Sequence, residues 1–201
     1  MVTIEERALP EFPPHQMTIE RYQRMVEAGV YGKDDRTFLW NGKLVEHLPK
    51  SLSSEFASMS LLERLIKIVP DGWHVGYRLS LAVGLDSMPE PDLLVVRGEP
   101  EDFLHRSRKS PDVAILIEIS DSGLSQDLNV LVKQPAYAAD AVPVYWIVDL
   151  PNRSVMIFSG PSGPTEKPSY KWDGWHGPDD VIAINLDGRE VGRISVKEIL
   201  P

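Results

Sequence analysis

Val113-Ala114-Ile115-Leu116-Ile117-Glu118-Ile119 is a nearly continuous apolar run that holds one carboxylate. Val, Ile and Leu in unbroken succession mark a strand covered on both faces, unlike the alternation of a half-solvated strand. A run of the same kind, Leu93-Leu94-Val95-Val96, follows Asp92, and Pro143 to Val148 reads as a further buried strand. Between the first run and that strand, Leu128, Leu131, Val132, Pro135, Ala136 and Ala139 trace one helical stripe, which Pro135 should kink or restart. Val155 to Phe158 adds a strand after the turn at Pro151-Asn152-Arg153. The order strand, strand, helix, strand, strand predicts an α/β or α+β domain with a mixed central β-sheet flanked by helices.

Toward the N-terminus, Thr18 is the expected cap of a helix to Glu27, with Ile19, Tyr22 and Met25 on one face. Asn41-Gly42 between short apolar runs predicts a hairpin, since both turn residues tolerate positive φ. The spacing of apolar residues over Phe56 to Val69 predicts a helix ending before Pro70. Trp73 to Val83 reads as one or two strands, and residues 97 to 111 as a loop or short helix. Toward the C-terminus, Ser159 to Pro178 reads as loop, with two short strands near Val181–Ile184 and Glu190–Ile194. The expected organisation is a Pro-rich arm over 1–16, a core over 17–158, and a β-rich extension over 159–201 packed on that core.

The chain of 201 residues is 42% hydrophobic and 25% charged, which suits one soluble domain and excludes collagen-like or wholly disordered classes. No apolar run approaches the roughly 20 residues of a membrane helix. Zero cysteines exclude disulfides and thiolate chemistry and, with no signal-peptide pattern, point to the cytoplasm. A formal charge of −9 disfavours a protein that coats nucleic acid, where Lys and Arg supply most of the affinity. It is compatible with an enzyme whose carboxylates hold a metal and whose cations are local. His105-Arg106-Ser107-Arg108-Lys109 is the densest basic cluster; it reads as a solvated loop, with Arg106, Arg108 and Lys109 as weak candidates for substrate contact.

No glycine loop for phosphates and no GxSxG elbow occurs, and the five histidines lack the spacing of a helical zinc site. The carboxylates carry more. Glu118 inside an apolar run costs several kcal/mol as a buried ion unless it is paired or metal-bound; the alternative is a strand that ends at Ile117 with Glu118 in solvent. Asp92 opens the neighbouring apolar run. If the two strands are adjacent, both acids meet at one end of the sheet, and a hydrated Mg²⁺ is the usual partner of such a pair. At 100° per residue, Gln126, Lys133 and Tyr137 share a helix face away from the apolar stripe. That face reads either as solvated or, beside two carboxylates, as the source of a lysine that stabilises phosphate charge.

Asn41-Gly42-Lys43-Leu44-Val45-Glu46, Pro89-Glu90-Pro91-Asp92-Leu93-Leu94-Val95-Val96-Arg97-Gly98, Ile117-Glu118-Ile119-Ser120-Asp121-Ser122, Lys133 with Tyr137-Ala138, and Pro143-Val144-Tyr145-Trp146-Ile147-Val148-Asp149 together resemble the Uma-two family of restriction endonuclease-like proteins, in the PD-(D/E)xK nuclease superfamily. The resemblance runs in order from about Met17 to Phe158. It implies a restriction-endonuclease-like core, Mg²⁺-dependent hydrolysis of DNA phosphodiesters with Mn²⁺ able to substitute, and a homodimer. Position by position, it makes Asp92 and Glu118 the metal-binding acids, joined by the backbone carbonyl of Ile119. Ser120 stands where the superfamily usually has its lysine, and Lys133 matches the lysine of the following helix. Glu90, Ser120, Gln126 and Tyr137 are then candidates for supporting roles.

Three departures bear on activity. Phe38 stands where the family usually has a glutamate, and Ser54 where it often has a histidine. About two extra residues separate Asp127 from Lys133. Two functions remain in play: a metal-dependent endonuclease, or a catalytically decayed nuclease fold that binds DNA or protein. A small-molecule hydrolase has no nucleophile motif behind it.

Overall fold

The computed structural model describes residues 15–31 and 35–201. The arm expected over residues 1–16 therefore lies outside the described residues, except for His15 and Gln16. Helix α1 (Ile19–Glu27) leads through strands β1 (Thr37–Trp40) and β2 (Lys43–Glu46) to helix α2 (Leu52–Ile68). Strands β3 (Trp73–Tyr77), β4 (Leu81–Ala82), β5 (Leu93–Arg97), β6 (Arg108–Lys109) and β7 (Val113–Ser120) follow. Helices α3 (Gly123–Asp127) and α4 (Gln134–Ala139) are joined by a π-helical turn over Leu128–Lys133. Strands β8 (Val144–Asp149), β9 (Ser154–Ser159), β10 (Lys171–His176), β11 (Val181–Leu186) and β12 (Arg189–Ser195) complete the chain.

The central sheet has the order β10-β9-β8-β7-β5-β3. Its β7–β8 pair is parallel and its other pairs are antiparallel, so the sheet is mixed as expected. The parallel pair needs a crossover, which the α3–π–α4 segment supplies. One face of the sheet, with Leu93, Val95, Ile117 and Trp146, packs on Ala57, Leu61 and Leu65 of α2 and on Ile182, Ile184 and Ile194 of the β11–β12 hairpin. The other face, with Leu94, Val96, Leu116, Tyr145 and Ile147, packs on Tyr137 and Ala138 of α4 and on Trp40, Leu81 and Phe103. Cover on both sides is why the runs in β5, β7 and β8 are apolar without alternation.

Local signals explain the element ends. Thr18 accepts the Arg21 N–H and Ser51 accepts the Ser54 N–H, capping α1 and α2. Asn41 and Gly42 sit at φ 47° and 69°, the turn that a two-residue hairpin demands. A Cβ at Gly42 would also collide with Gln16.

Three expectations need correction. The stripe assigned to Leu131 and Val132 is broken: both are exposed, while Asn129, Tyr137 and Ala138 are buried. The π turn is wider than an α turn, so residues after it change face relative to those before it. The same phase change separates Tyr137, in the aromatic core, from Gln126. In the stretch expected as loop, Lys171–His176 pairs with β9 as an edge strand of the central sheet. Its bulge between Trp172 and Gly174 hides the period of two. The C-terminal segment therefore completes the sheet as well as covering it. On α2, Ala57, Leu61 and Leu65 are buried while Phe56, Met59 and Ile66 are exposed, so only part of its apolar surface faces the core. Among the described residues, no helix is long and apolar enough to cross a membrane.

Candidate active site

Strands β5 and β7 are neighbours, with Leu93 opposite Ile117 and Leu94 opposite Leu116. Carried one residue further, this register sets Asp92 level with Glu118. Side chains alternate along a strand, and both carboxyls share the parity of Leu94 and Leu116, on the α4 side of the sheet. Only 2% of Asp92 and 3% of Glu118 is exposed. The solvated alternative for Glu118 is thereby excluded, and each buried carboxylate requires compensation.

Each has it through one oxygen. Asp92 Oδ2 accepts the Ile119 N–H at 2.8 Å and the Lys50 ammonium at 2.7 Å. That ammonium also donates to the Ile119 carbonyl at 3.2 Å. Glu118 Oε1 accepts the Lys133 ammonium at 2.7 Å and the Tyr137 hydroxyl at 3.1 Å. Burial, and then the Glu118 charge, hold the Tyr137 phenol well above its ordinary pKa, so it remains a donor. Asp92 Oδ1 and Glu118 Oε2 make no hydrogen bond among the described residues. Both acids line one cavity of about 750 Å³ together with Lys50, Lys133, Ile119 and Asp121.

The Lys133 geometry depends on the π turn. An i→i+5 turn takes up extra chain without ending the helix, and Lys133 at its end reaches Glu118 despite the added residues. Pro135, in the first turn of α4, lacks the N–H that a helix interior would use and marks the restart.

The remaining candidates divide. Glu90 lines the same cavity and contacts His47 at 3.4 Å and Ser80 at 3.4 Å. Ser120 is fully buried and accepts from Asn129, a structural contact. Gln126 turns away to Asp149 at 2.6 Å, where Asn152 also donates, and so secures the β8–β9 turn. Arg106 is bound by both carboxylate oxygens of Asp112 and lies over the Phe103 ring. Arg108 lies over the same ring, half-buried. These two arginines line a second groove with Arg78, which also lines the main cavity. Lys109 is exposed and lines neither. Phe38 lines the main cavity and packs on His47, whereas Ser54 is absorbed in the α2 cap.

Sequence reasoning missed Lys50, His47, Arg36 and Arg78, all of which line the cavity. Lys50 did carry a signal. It directly precedes the Ser51 cap, at the helix end whose dipole disfavours a cation. The dipole makes a cation there slightly unfavourable, and the Asp92 carboxylate offsets it.

The donor set suits a hard cation: two carboxylates with a free oxygen each, and a backbone carbonyl. The Lys50 ammonium, between Asp92 and the Ile119 carbonyl, already marks the place as one for positive charge. Among the described residues, no three His, Asp or Glu side chains cluster to hold a metal. An ion here would keep several waters, as Mg²⁺ does.

Comparison with known proteins places the chain. The family model described as "Uma2: Putative restriction endonuclease" matches residues 19–186, from α1 through β11. No curated protein matches the chain. The fold is shared with a crystal structure at 1.96 Å described as "a putative nuclease belonging to DUF820 from Anabaena variabilis ATCC 29413". The TM-score is 0.57 at 14% identity, over 91% of this chain and 97% of that one.

Proposed function

The chain belongs to the Uma2 family, whose description is "Putative restriction endonuclease", and on that premise we propose that it is a Mg²⁺-dependent endonuclease hydrolysing DNA phosphodiester bonds. One observation carries the reading: Asp92 and Glu118 lie level on adjacent strands, each anchored by one oxygen and lining one cavity. Asp92, Glu118 and the Ile119 carbonyl would hold the ion, with Mn²⁺ able to replace Mg²⁺. When bound, such an ion polarises a phosphoryl oxygen and lowers the pKa of water.

The protein's own groups do the rest. The Ile119 N–H fixes the Asp92 carboxylate, and the Tyr137 hydroxyl fixes Glu118, so neither acid has to reorganise. Lys133, held at Glu118, would orient the attacking water or donate to the phosphate as its charge grows. The water oxygen bonds to phosphorus as the water gives up one proton to solvent, one ester P–O bond breaks, and the leaving oxygen takes up a proton. Arg78, common to both grooves, is the candidate contact for the DNA backbone beyond the scissile phosphate. Arg106 is engaged by Asp112, which makes it a poorer candidate.

The test is plasmid nicking with Mg²⁺ or Mn²⁺, beside calorimetric metal titration. Asp92→Ala and Glu118→Ala should each abolish cleavage and weaken metal binding, because Mg²⁺ gives up water reluctantly and accepts no weak site. A parent protein that binds metal and cuts no duplex or single strand would make the decayed, DNA- or protein-binding reading the correct one.

We also propose a twofold homodimer, the commonest oligomer class, formed through the exposed Leu52, Phe56, Met59 and Ile66 of α2. The aromatic segment holding Tyr170, Trp172 and Trp175 is the other candidate, since Trp172 and Trp175 are also exposed. Tyr170 is buried, with its hydroxyl on the Val142 carbonyl, and Trp172 packs on Phe158. Sedimentation should give a dimer mass that Phe56→Asp halves; a parent monomer of 22.6 kDa at high concentration would overturn this.

A further inference from the structure

We infer that Lys50 is the resident cation of the Asp92 pocket, and that a divalent ion enters by displacing its ammonium. The inference rests on the reading of Asp92, Glu118 and the Ile119 carbonyl as the ion's ligands. Lys50 Nζ contacts two of those three donors, Asp92 Oδ2 at 2.7 Å and the Ile119 carbonyl at 3.2 Å. An ion that took the same oxygens would stand against the ammonium, and like charges at such a distance in a buried site repel strongly. One of the two has to leave.

The second lysine shows the contrast. Lys133 contacts Glu118 Oε1 only, beside the Tyr137 hydroxyl, and leaves Oε2 for a ligand. Each lysine leaves one carboxylate oxygen open, Asp92 Oδ1 or Glu118 Oε2, but Lys50 alone also holds the backbone carbonyl of the set. Lys133 can therefore remain while an ion binds all three donors, and Lys50 cannot. Nor is Lys50 locked in place. It belongs to the segment between β2 and α2, its side chain is 22% exposed, and it borders the cavity. Asp121 and Glu90 line the same cavity and offer the displaced ammonium new acceptors. The arrangement also keeps Asp92 paired when no ion is bound, so the chain folds without metal and binds it at the expense of an existing ion pair. Affinity for the ion is therefore lower than the donor set alone would give.

Mn²⁺ titration by calorimetry, on the full chain, tests this with the parent, K50Q and K50M, and with Asp92→Asn added to each. K50Q retains a neutral donor for Asp92 and guards against loss of the fold in K50M, which circular dichroism would report. The lysine variants should bind Mn²⁺ about tenfold more tightly than the parent, or more, and Asp92→Asn should cancel the gain. In the parent, acylation of Lys50 followed by peptide mass spectrometry should quicken on adding Mn²⁺, with exposed Lys43 as the unchanged reference. Equal Mn²⁺ affinity in parent and lysine variants, or Lys50 labelling indifferent to bound Mn²⁺, overturns the displacement and leaves the metal site standing. Absence of binding in the parent and in K50Q alike overturns both.

Discussion

The two faces of the central sheet share their strands and differ in chemistry. Toward α2 and the β11–β12 hairpin, the packed side chains carry no charge: they are apolar apart from buried hydroxyls such as those of Ser54 and Ser58 on α2. Toward α4, the buried Glu118 borders an aromatic layer, with Tyr137 joined to Trp40 and Tyr145 by edge-to-face contacts. The change occurs within single strands: on β8, Tyr145 faces α4 and its neighbour Trp146 faces α2. Burial on the first side contributes stability by removing apolar surface from water. On the second side, buried charge has to be offset by Lys50, Lys133, the Tyr137 hydroxyl and a backbone N–H. A protein that only needed to fold would have no use for that second arrangement.

The comparison can be broken by variants that affect the wrong property. Trp146→Ala, on the apolar face, should destabilise by about 3–5 kcal/mol, the range for emptying a buried aromatic site. Urea unfolding measures the loss, and Mn²⁺ affinity of the folded fraction should be unchanged. A Trp146→Ala protein that is stable but no longer binds metal would show that the two faces are not separable. Lys133→Ala, on the charged face, should do the reverse. Cleavage should slow by roughly 10² to 10³, the effect of removing one preorganised electrostatic group, while metal binding largely persists. If Lys133→Ala cuts as fast as the parent, Lys133 is only the partner that allows Glu118 to be buried.

How far this was legible in the sequence follows the same division. Nearly continuous Val, Ile and Leu gave β5 and β7, the apolar run to Val148 gave β8, and Asn41-Gly42 gave the hairpin, because strand burial and turn conformation are local properties. Asp92 and Glu118 stood out because charge in an apolar run requires a cause. The α3–α4 segment misled, since a constant 100° per residue cannot describe a helix with a π turn; it placed Tyr137 beside Gln126 and buried Leu131 and Val132. Strand β10 was obscured by prolines and a bulge. Lys50 was passed over for a different reason. It is 42 residues from Asp92 in the chain, and only the folded sheet brings them together.

The smallest expected effect lies at the seam between the two faces. Asp121 follows β7, and its Oδ2 accepts the N–H of Ser51, the residue that caps α2, at 3.0 Å. Partial burial works against ionisation of Asp121, but the Ser51 N–H and hydroxyl and the Lys50 charge outweigh it, and the pKa lies below the ordinary aspartate range. A carboxyl with a depressed folded pKa contributes stability above its unfolded value, about 3.9, and loses it as pH falls through the folded value. Asp121→Asn should therefore lower stability at neutral pH, by about 1 kcal/mol once solvent screening is allowed for. The gap between variant and parent should close as pH falls below the unfolded aspartate value and through the lower folded one. Urea unfolding at a series of pH values measures both curves. Parallel curves down to the acid limit would mean that Asp121 holds α2 to β7 by shape and a neutral hydrogen bond, and that the charge at the seam serves only the cavity beside it.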